Sequence, residues 1–224
     1  MTDAPNPGID AASVAERLAG IRDRIAAAGG TGVHVVGVTK TWGIEAVRAA
    51  AAAGCDAVGE NYAQEMVAKL TGQVSLPPVH FIGRLQTNKV RQIAPFVDVY
   101  ETVDRASLAH ELAKRVPGAR VLVQVTPDGD PDKGGCSLDA ARPLVDECLA
   151  LGLVVDGLMT VGPTEGGPEA ARAGFRAVRS LLDELGHLGL SVCSMGMSDD
   201  LEVAVQEGST QVRVGSALFG PRRG

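Results

Sequence analysis

The chain has 224 residues, of which 45% are hydrophobic, so it is long enough to bury a sizeable core in one large domain or two small ones. Its 21 Lys and Arg against 27 Asp and Glu give a formal net charge of −6, and without a basic tract this argues against a protein that mainly binds nucleic acid. No apolar stretch approaches the roughly eighteen residues that cross a bilayer, and the Pro-rich, acidic start is unlike a signal peptide, so we expect a cytoplasmic protein with no membrane partner.

The first predicted element follows a head, residues 1–10, that we expect to be disordered. Val14, Leu18, Ile21 and Ile25 recur at helical spacing, and Gly29 lies just beyond the point where this pattern ends. This periodicity predicts a helix from residue 11 to residue 28, ahead of the first strand.

Short apolar runs then alternate with helical patterns along the rest of the chain. Eight candidate strands cover residues 33–39, 56–59, 79–83, 97–102, 119–125, 154–161, 190–195 and 211–214. Helical patterns after them cover residues 43–53, 63–70, 87–94, 105–115, 138–151, 168–186 and 200–207. This repeat predicts an α/β fold, a single (β/α)8 TIM barrel over residues 11–224 with an extra N-terminal helix. A doubly wound open sheet is the alternative, although no GxGxxG motif follows the first strand.

The cysteine pattern gives no sign of a disulfide framework or of a metal site. The chain has four cysteines and four histidines, without a CxxC pair and without metal-like spacing between the two residue types. We therefore expect reduced thiols with structural roles and no metal ligand among them. The four cysteines are Cys55, Cys136, Cys148 and Cys193.

Lys40 places an amine at the tip of the first predicted strand, which is otherwise apolar from Val35 to Val38. Desolvation disfavours an ammonium group, so such a lysine becomes a nucleophilic amine near neutral pH and can form a Schiff base with an aldehyde. The alternative is a lysine that extends its ammonium to solvent at the strand end, which is the commoner case for an isolated lysine.

The segments after the seventh and eighth strands have the composition of a phosphate site. Gly196 and Gly215 allow close approach of the backbone, while Ser198 and Ser216 offer hydroxyl donors. TIM barrels frequently bind phosphate between these two loops. Taken alone, each glycine and serine pair is more often an ordinary turn.

Acidic residues beside the first of these loops argue against the phosphate site. Asp199 and Asp200 add negative charge there, and Asp199 with Glu202 fits the sequence pattern of a helix capping box. We still favour a phosphate site, because two such loops at consecutive strand ends face an amine on the first strand.

An amine and a phosphate site in one pocket indicate an aldehyde that carries a phosphate, and pyridoxal 5′-phosphate (PLP) is the obvious biological candidate. Arg213 lies two residues before Gly215 on the same face of its strand, within reach of the pyridine nitrogen. Because a guanidinium only donates, it would hold that nitrogen unprotonated and weaken the ring as an electron sink. An arginine paired with a barrel carboxylate is the alternative.

From about residue 31 to its C-terminus, the chain resembles the YggS/PROSC family of pyridoxal-phosphate-binding proteins. The resemblance implies a barrel of the alanine racemase N-terminal-domain type, fold type III of PLP-dependent proteins, with Lys40 bound to PLP as an internal aldimine. It also implies a monomer or weak dimer with a role in vitamin B6 and amino-acid homeostasis. The matching segments are Val38-Thr39-Lys40, Gly59-Glu60-Asn61-Tyr62 with Gln64-Glu65, His80 to Lys89, Gly157 to Thr160, Ser194 to Asp200 and Arg213 to Gly220.

The same resemblance assigns residues to the cofactor. It places Ser198, Gly215 and Ser216 at the phosphate, Arg213 at the pyridine nitrogen and Asn61 around the ring, and we also assign Met195 to the cofactor site. Ser216 stands where many relatives have threonine, which keeps the hydroxyl. The loop that contains Lys133 departs from the family pattern, so we assign Lys133 no role in cofactor transfer. We expect His80, at the far end of its strand from Lys40, to be structural.

The resemblance leaves open whether the protein catalyses a reaction. A racemase needs two bases on opposite faces of the substrate, and in related racemases the second comes from a separate C-terminal domain that we do not find in this sequence. We therefore assign no catalytic residue and expect a carrier that releases PLP to apo PLP-dependent enzymes. A weak amino-acid racemase, a Schiff-base aldolase acting on a phosphosugar and a scaffold without a ligand are the alternatives.

Overall fold

The computed structural model describes residues 9–130 and 133–221, and most of the predicted head lies outside these residues. Eight parallel strands pair in sequence order and close into a barrel, so the predicted TIM barrel is confirmed and the open sheet is wrong. The strands are β1 His34–Val38, β2 Ala57–Glu60, β3 Val79–Phe81, β4 Val99–Val103, β5 Arg120–Gln124, β6 Val154–Met159, β7 Val192–Ser194 and β8 Gln211–Val214.

Helices follow the strands and form the outer layer of the barrel. The helices of the described residues are α1 Ala11–Ala27, α2 Ile44–Ala53, α3 Ala63–Leu70, α4 Val90–Ile93, α5 Ala106–Arg115, α6 Leu138–Ala150, α7 Gly167–Ala170, α8 Arg172–Leu185, α9 Leu201–Gln206 and α10 Ser216–Phe219. Among these residues, none of the helices combines the length and apolar character that a membrane crossing requires.

Helix α1 precedes the barrel and packs on its outside against α2, α9 and α10. Its predicted apolar stripe is the buried face, from Val14 to Ile25. Asp10 starts the helix, because its carboxylate accepts hydrogen bonds from the backbone N–H groups of Ala12 and Ser13. The extra N-terminal helix therefore belongs to the outer helical layer of the barrel.

Two predicted helices differ from the observed ones in their continuity. The pattern over residues 168–186 forms α7 and α8, which are separated at Ala171. The pattern over residues 87–94 begins as a 3-10 turn, Thr87–Lys89, before α4. Helix α10 was not predicted, because four residues are too few to show a helical period.

Candidate functional site

A cavity of about 410 Å3 opens at the carboxyl ends of the strands, where TIM barrels hold their functional residues. Six of the seven residues that the sequence assigned to the cofactor line this cavity: Lys40, Asn61, Ser198, Arg213, Gly215 and Ser216. Met195 does not line it, because its side chain is fully buried in the hydrophobic core. Met197 lines the cavity instead.

Lys40 lies in a tight turn directly after β1. The N–H of Trp42 donates to the carbonyl oxygen of Thr39 at 3.1 Å, so Lys40 and Thr41 are the two central residues of the turn. Thr41 has a φ of +67°, a left-handed conformation that glycine usually provides at this turn position. The backbone is therefore strained at Thr41, the residue that follows Lys40.

The loops after β7 and β8 are joined to each other and to α1. Ser198 Oγ accepts from the N–H of Ala217 at 3.2 Å, which links the two loops. Arg24 of α1 donates to the carbonyl oxygen of Ser198 at 3.0 Å and pairs with both carboxylate oxygens of Glu202. The predicted capping box is therefore wrong: Glu202 binds Arg24, and no side chain caps α9.

Arg213 is fully buried under the cavity and belongs to a polar network inside the barrel. Its guanidinium donates to Ser194 Oγ at 2.6 Å and to the carbonyl oxygen of Thr160 at 2.7 Å. Ser194 in turn donates to Glu101 Oε2 at 2.6 Å. Arg213 is thus linked to a barrel carboxylate, as the alternative interpretation expected, but through Ser194 and not directly. Arg213 also lines the cavity.

Among the residues that the structure describes, Glu101 is the only carboxylate in this hydrogen-bonded network, and it is 0% exposed. His80 Nδ1 lies 2.6 Å from its Oε1, and Gln211 Nε2 donates to the same oxygen at 2.8 Å. Burial alone would raise the pKa of Glu101, but the hydrogen bond with His80 and the charge of Arg213 outweigh burial and lower it. His80 thus supports a buried carboxylate, which agrees with a structural role.

Cationic side chains outnumber carboxylates in the lining of the cavity, although the chain has a net charge of −6. Its lining includes four cationic side chains and one carboxylate, that of Asp199. A cleft of one sign with low-dielectric walls concentrates counter-ions of the opposite sign, so this site favours an anionic ligand. The four cations are Lys40, Arg84, Lys133 and Arg213.

Asn61 provides a buried acceptor without a partner. Its Oδ1 is inaccessible to solvent and makes no hydrogen bond within the described part of the chain. Its backbone packs against Gly83, where any side chain would collide with the Asn61 carbonyl group. Because an unpaired buried polar atom is costly, this acceptor is consistent with a ligand that donates to it.

Lys133 and Gln124 also line the cavity, and the sequence did not assign either of them to it. Gln124 Nε2 donates to the carbonyl oxygen of Lys133 at 2.8 Å, and Cys136 pairs with Val125, so residues 133–136 return to the end of β5. The Lys133 ammonium pairs with Asp128 at 2.6 Å. In the sequence, the adjacent glycines Gly134 and Gly135 were the feature that could have predicted this turn of the chain.

Comparison with known proteins finds close relatives over the full barrel. Residues 9–223 match the family described as alanine racemase, N-terminal domain. The pyridoxal phosphate homeostasis protein of Pseudomonas aeruginosa is 40% identical over 95% of each chain, and that of Aquifex aeolicus is 39% identical over 93% of this chain and 98% of the relative. The solved structure of PipY from Synechococcus elongatus with PLP bound has a TM-score of 0.82 and 31% identity, and the match covers 92% of this chain and 100% of PipY.

Proposed function

The chain belongs to the family of pyridoxal phosphate homeostasis proteins, and from this premise we propose that it binds pyridoxal 5′-phosphate through Lys40. When bound, the cofactor supplies an aldehyde with which a lysine amine condenses, with release of one water molecule. In this proposal the protein acts in the cytoplasm as a store of vitamin B6 cofactor.

One observation carries the proposal: a single cavity joins the Lys40 amine to the two loops that suit a phosphate. Ser198 Oγ already accepts from the Ala217 N–H, so its own O–H is left to donate to an anion. Ser216 is exposed to the cavity and offers a second hydroxyl. The excess of cationic side chains adds long-range attraction for the phosphate.

Arg213 favours storage over turnover. It is fully buried, it only donates, and Ser194 and Thr160 fix its guanidinium. A donor of this kind facing the ring nitrogen keeps that nitrogen unprotonated, which makes the ring a weaker electron sink. We therefore propose a carrier, a monomer or weak dimer, that passes the cofactor to apo PLP-dependent enzymes.

A titration at two ionic strengths tests the proposal. We expect wild-type protein to take up PLP with a change in its visible absorption, and to bind it roughly tenfold more weakly at about 1 M than at about 0.01 M salt. Pyridoxal, which has the aldehyde but no phosphate, is the matched ligand and should show weaker binding and little dependence on salt. An absorption change that is absent, or equal for both ligands, contradicts the proposal.

A further inference from the structure

A buried cluster beside the cavity holds the turn that carries Lys40. Glu60 ends β2, and Glu65 and Lys69 lie one helical turn apart on α3. The side chains of Glu60 and Lys69 are 0% and 4% exposed, and that of Glu65 is 29% exposed. None of these three residues lines the cavity, so direct contact with a ligand there does not explain them.

Lys69 binds the backbone on the N-terminal side of Lys40. Its ammonium donates to the carbonyl oxygen of Thr39 at 2.8 Å, to Glu60 Oε1 at 2.7 Å and to Glu65 Oε1 at 2.9 Å. An ammonium group has three protons, so this geometry uses its whole donor capacity. Lys69 is thus a fixed cation and not a second nucleophile.

Glu65 binds the backbone on the C-terminal side of Lys40. Its Oε1 accepts from the N–H of Thr41 at 2.6 Å. Thr41 is the residue with a φ of +67°, a conformation that is costly for any residue other than glycine. A charged acceptor on the N–H of that residue offsets this cost, so Glu65 stabilises the turn where it is strained.

Glu60 completes the cluster through the side chain of Thr39. Thr39 Oγ1 donates to Glu60 Oε1 at 2.6 Å, and that oxygen also accepts from Lys69. Burial raises the pKa of Glu60, and the charge and hydrogen bond of Lys69 oppose this rise. Both peptide groups that flank Lys40 are therefore held by one hydrogen-bonded unit.

We propose that Lys69 and Glu65 are positioning residues for Lys40, an inference that rests on the proposed function. Attack by the Lys40 amine on the cofactor aldehyde forms a carbon–nitrogen double bond, and the aldehyde oxygen leaves as water with both amine protons. This condensation needs the amine in a narrow geometry, because rates fall steeply with small displacements of a reacting group. The cluster supplies that geometry by fixing the carbonyl before Lys40 and the N–H after it.

Two ligands distinguish a role of Glu65 and Lys69 in positioning Lys40 from a general effect on the stability of the cavity. PLP tests condensation, whereas pyridoxamine 5′-phosphate has the same ring and phosphate but no aldehyde, so it reports only on the cavity. The variants are Glu65→Ala, which removes the acceptor for Thr41, Glu65→Gln, which keeps a carbonyl acceptor, and Lys69→Met. Glu111→Ala is the matched control, because Glu111 forms an (i, i+4) ion pair with Arg115 on α5 and is 25% exposed.

In Glu65→Ala and Lys69→Met we expect the rate of adduct formation with PLP to fall by roughly tenfold to a hundredfold, with unchanged affinity for pyridoxamine 5′-phosphate. Glu65→Gln should recover most of the rate, and Glu111→Ala should match wild type. If Lys69→Met does not fold, Glu65→Ala decides the question.

Two results overturn the positioning role. One is wild-type rates in both Glu65→Ala and a folded Lys69→Met, and the other is an equal loss for both ligands, which identifies a structural effect on the cavity. If wild-type protein forms no adduct at all, the proposed function itself fails, and the positioning role falls with it.

Discussion

Lys40→Ala is expected to abolish covalent labelling of the protein by PLP and borohydride. Lys40 follows β1 and its side chain lines the cavity that contains the proposed phosphate loops. Alanine has no amine to condense with the aldehyde, and borohydride retains only a ligand that is bound through a carbon–nitrogen bond. Intact-mass measurement followed by peptide mapping should find one modified lysine in wild type and none in this variant.

Binding of a ligand without an aldehyde shows whether Lys40→Ala has lost only the amine or the whole binding site. Lys40→Ala should still bind pyridoxamine 5′-phosphate, since its phosphate loops and Arg213 are unchanged. Lys114→Ala removes an exposed lysine on α5 and should label like wild type. Label on Lys69 or Lys133 in wild-type protein, with Lys40 unmodified, contradicts the assignment.

Sequence periodicity predicted the fold well because a TIM barrel repeats one local pattern. Each buried parallel strand is a short apolar run, and the stripe from Val14 to Ile25 has a clear helical period. Barrel closure also fixes where strand ends lie, so residues more than 150 positions apart, such as Lys40 and Ser216, were expected in one pocket. The residues predicted at the strand ends therefore include six that line the cavity.

The supporting contacts were beyond sequence reasoning because they depend on side-chain reach across elements. Lys69 lies on α3 in an ordinary amphipathic pattern, and nothing local indicates that its amine ends at the Thr39 carbonyl. The bond from Arg24 to the Ser198 loop spans 174 positions. Met195 and Met197 flank Gly196, which has a left-handed φ of +95°, and of these two methionines Met197 lines the cavity.

Arg213→Met is expected to destabilise the protein by about 3–5 kcal/mol at neutral pH. The substitution removes the donors to Ser194 and Thr160, and it leaves the buried carboxylate of Glu101 without its cationic neighbour. Urea unfolding near pH 7 measures the loss. Arg120→Met is the matched control, because Arg120 pairs with Asp156 while 61% exposed, and such surface pairs contribute about 1 kcal/mol or less.

The same variant should show a distinctive dependence on pH. In wild type the pKa of Glu101 is lowered, so its contribution to stability is full above the ordinary carboxyl pKa and is lost as pH falls through the folded value. Without Arg213 the pKa of Glu101 rises, and protonation then relieves the uncompensated charge. The stability difference between wild type and Arg213→Met should therefore shrink as the pH falls from neutral through the ordinary glutamate pKa of about 4.3 and towards the lowered wild-type value. A difference that is constant over this range would mean that lost packing, and not the Glu101 charge, accounts for the effect.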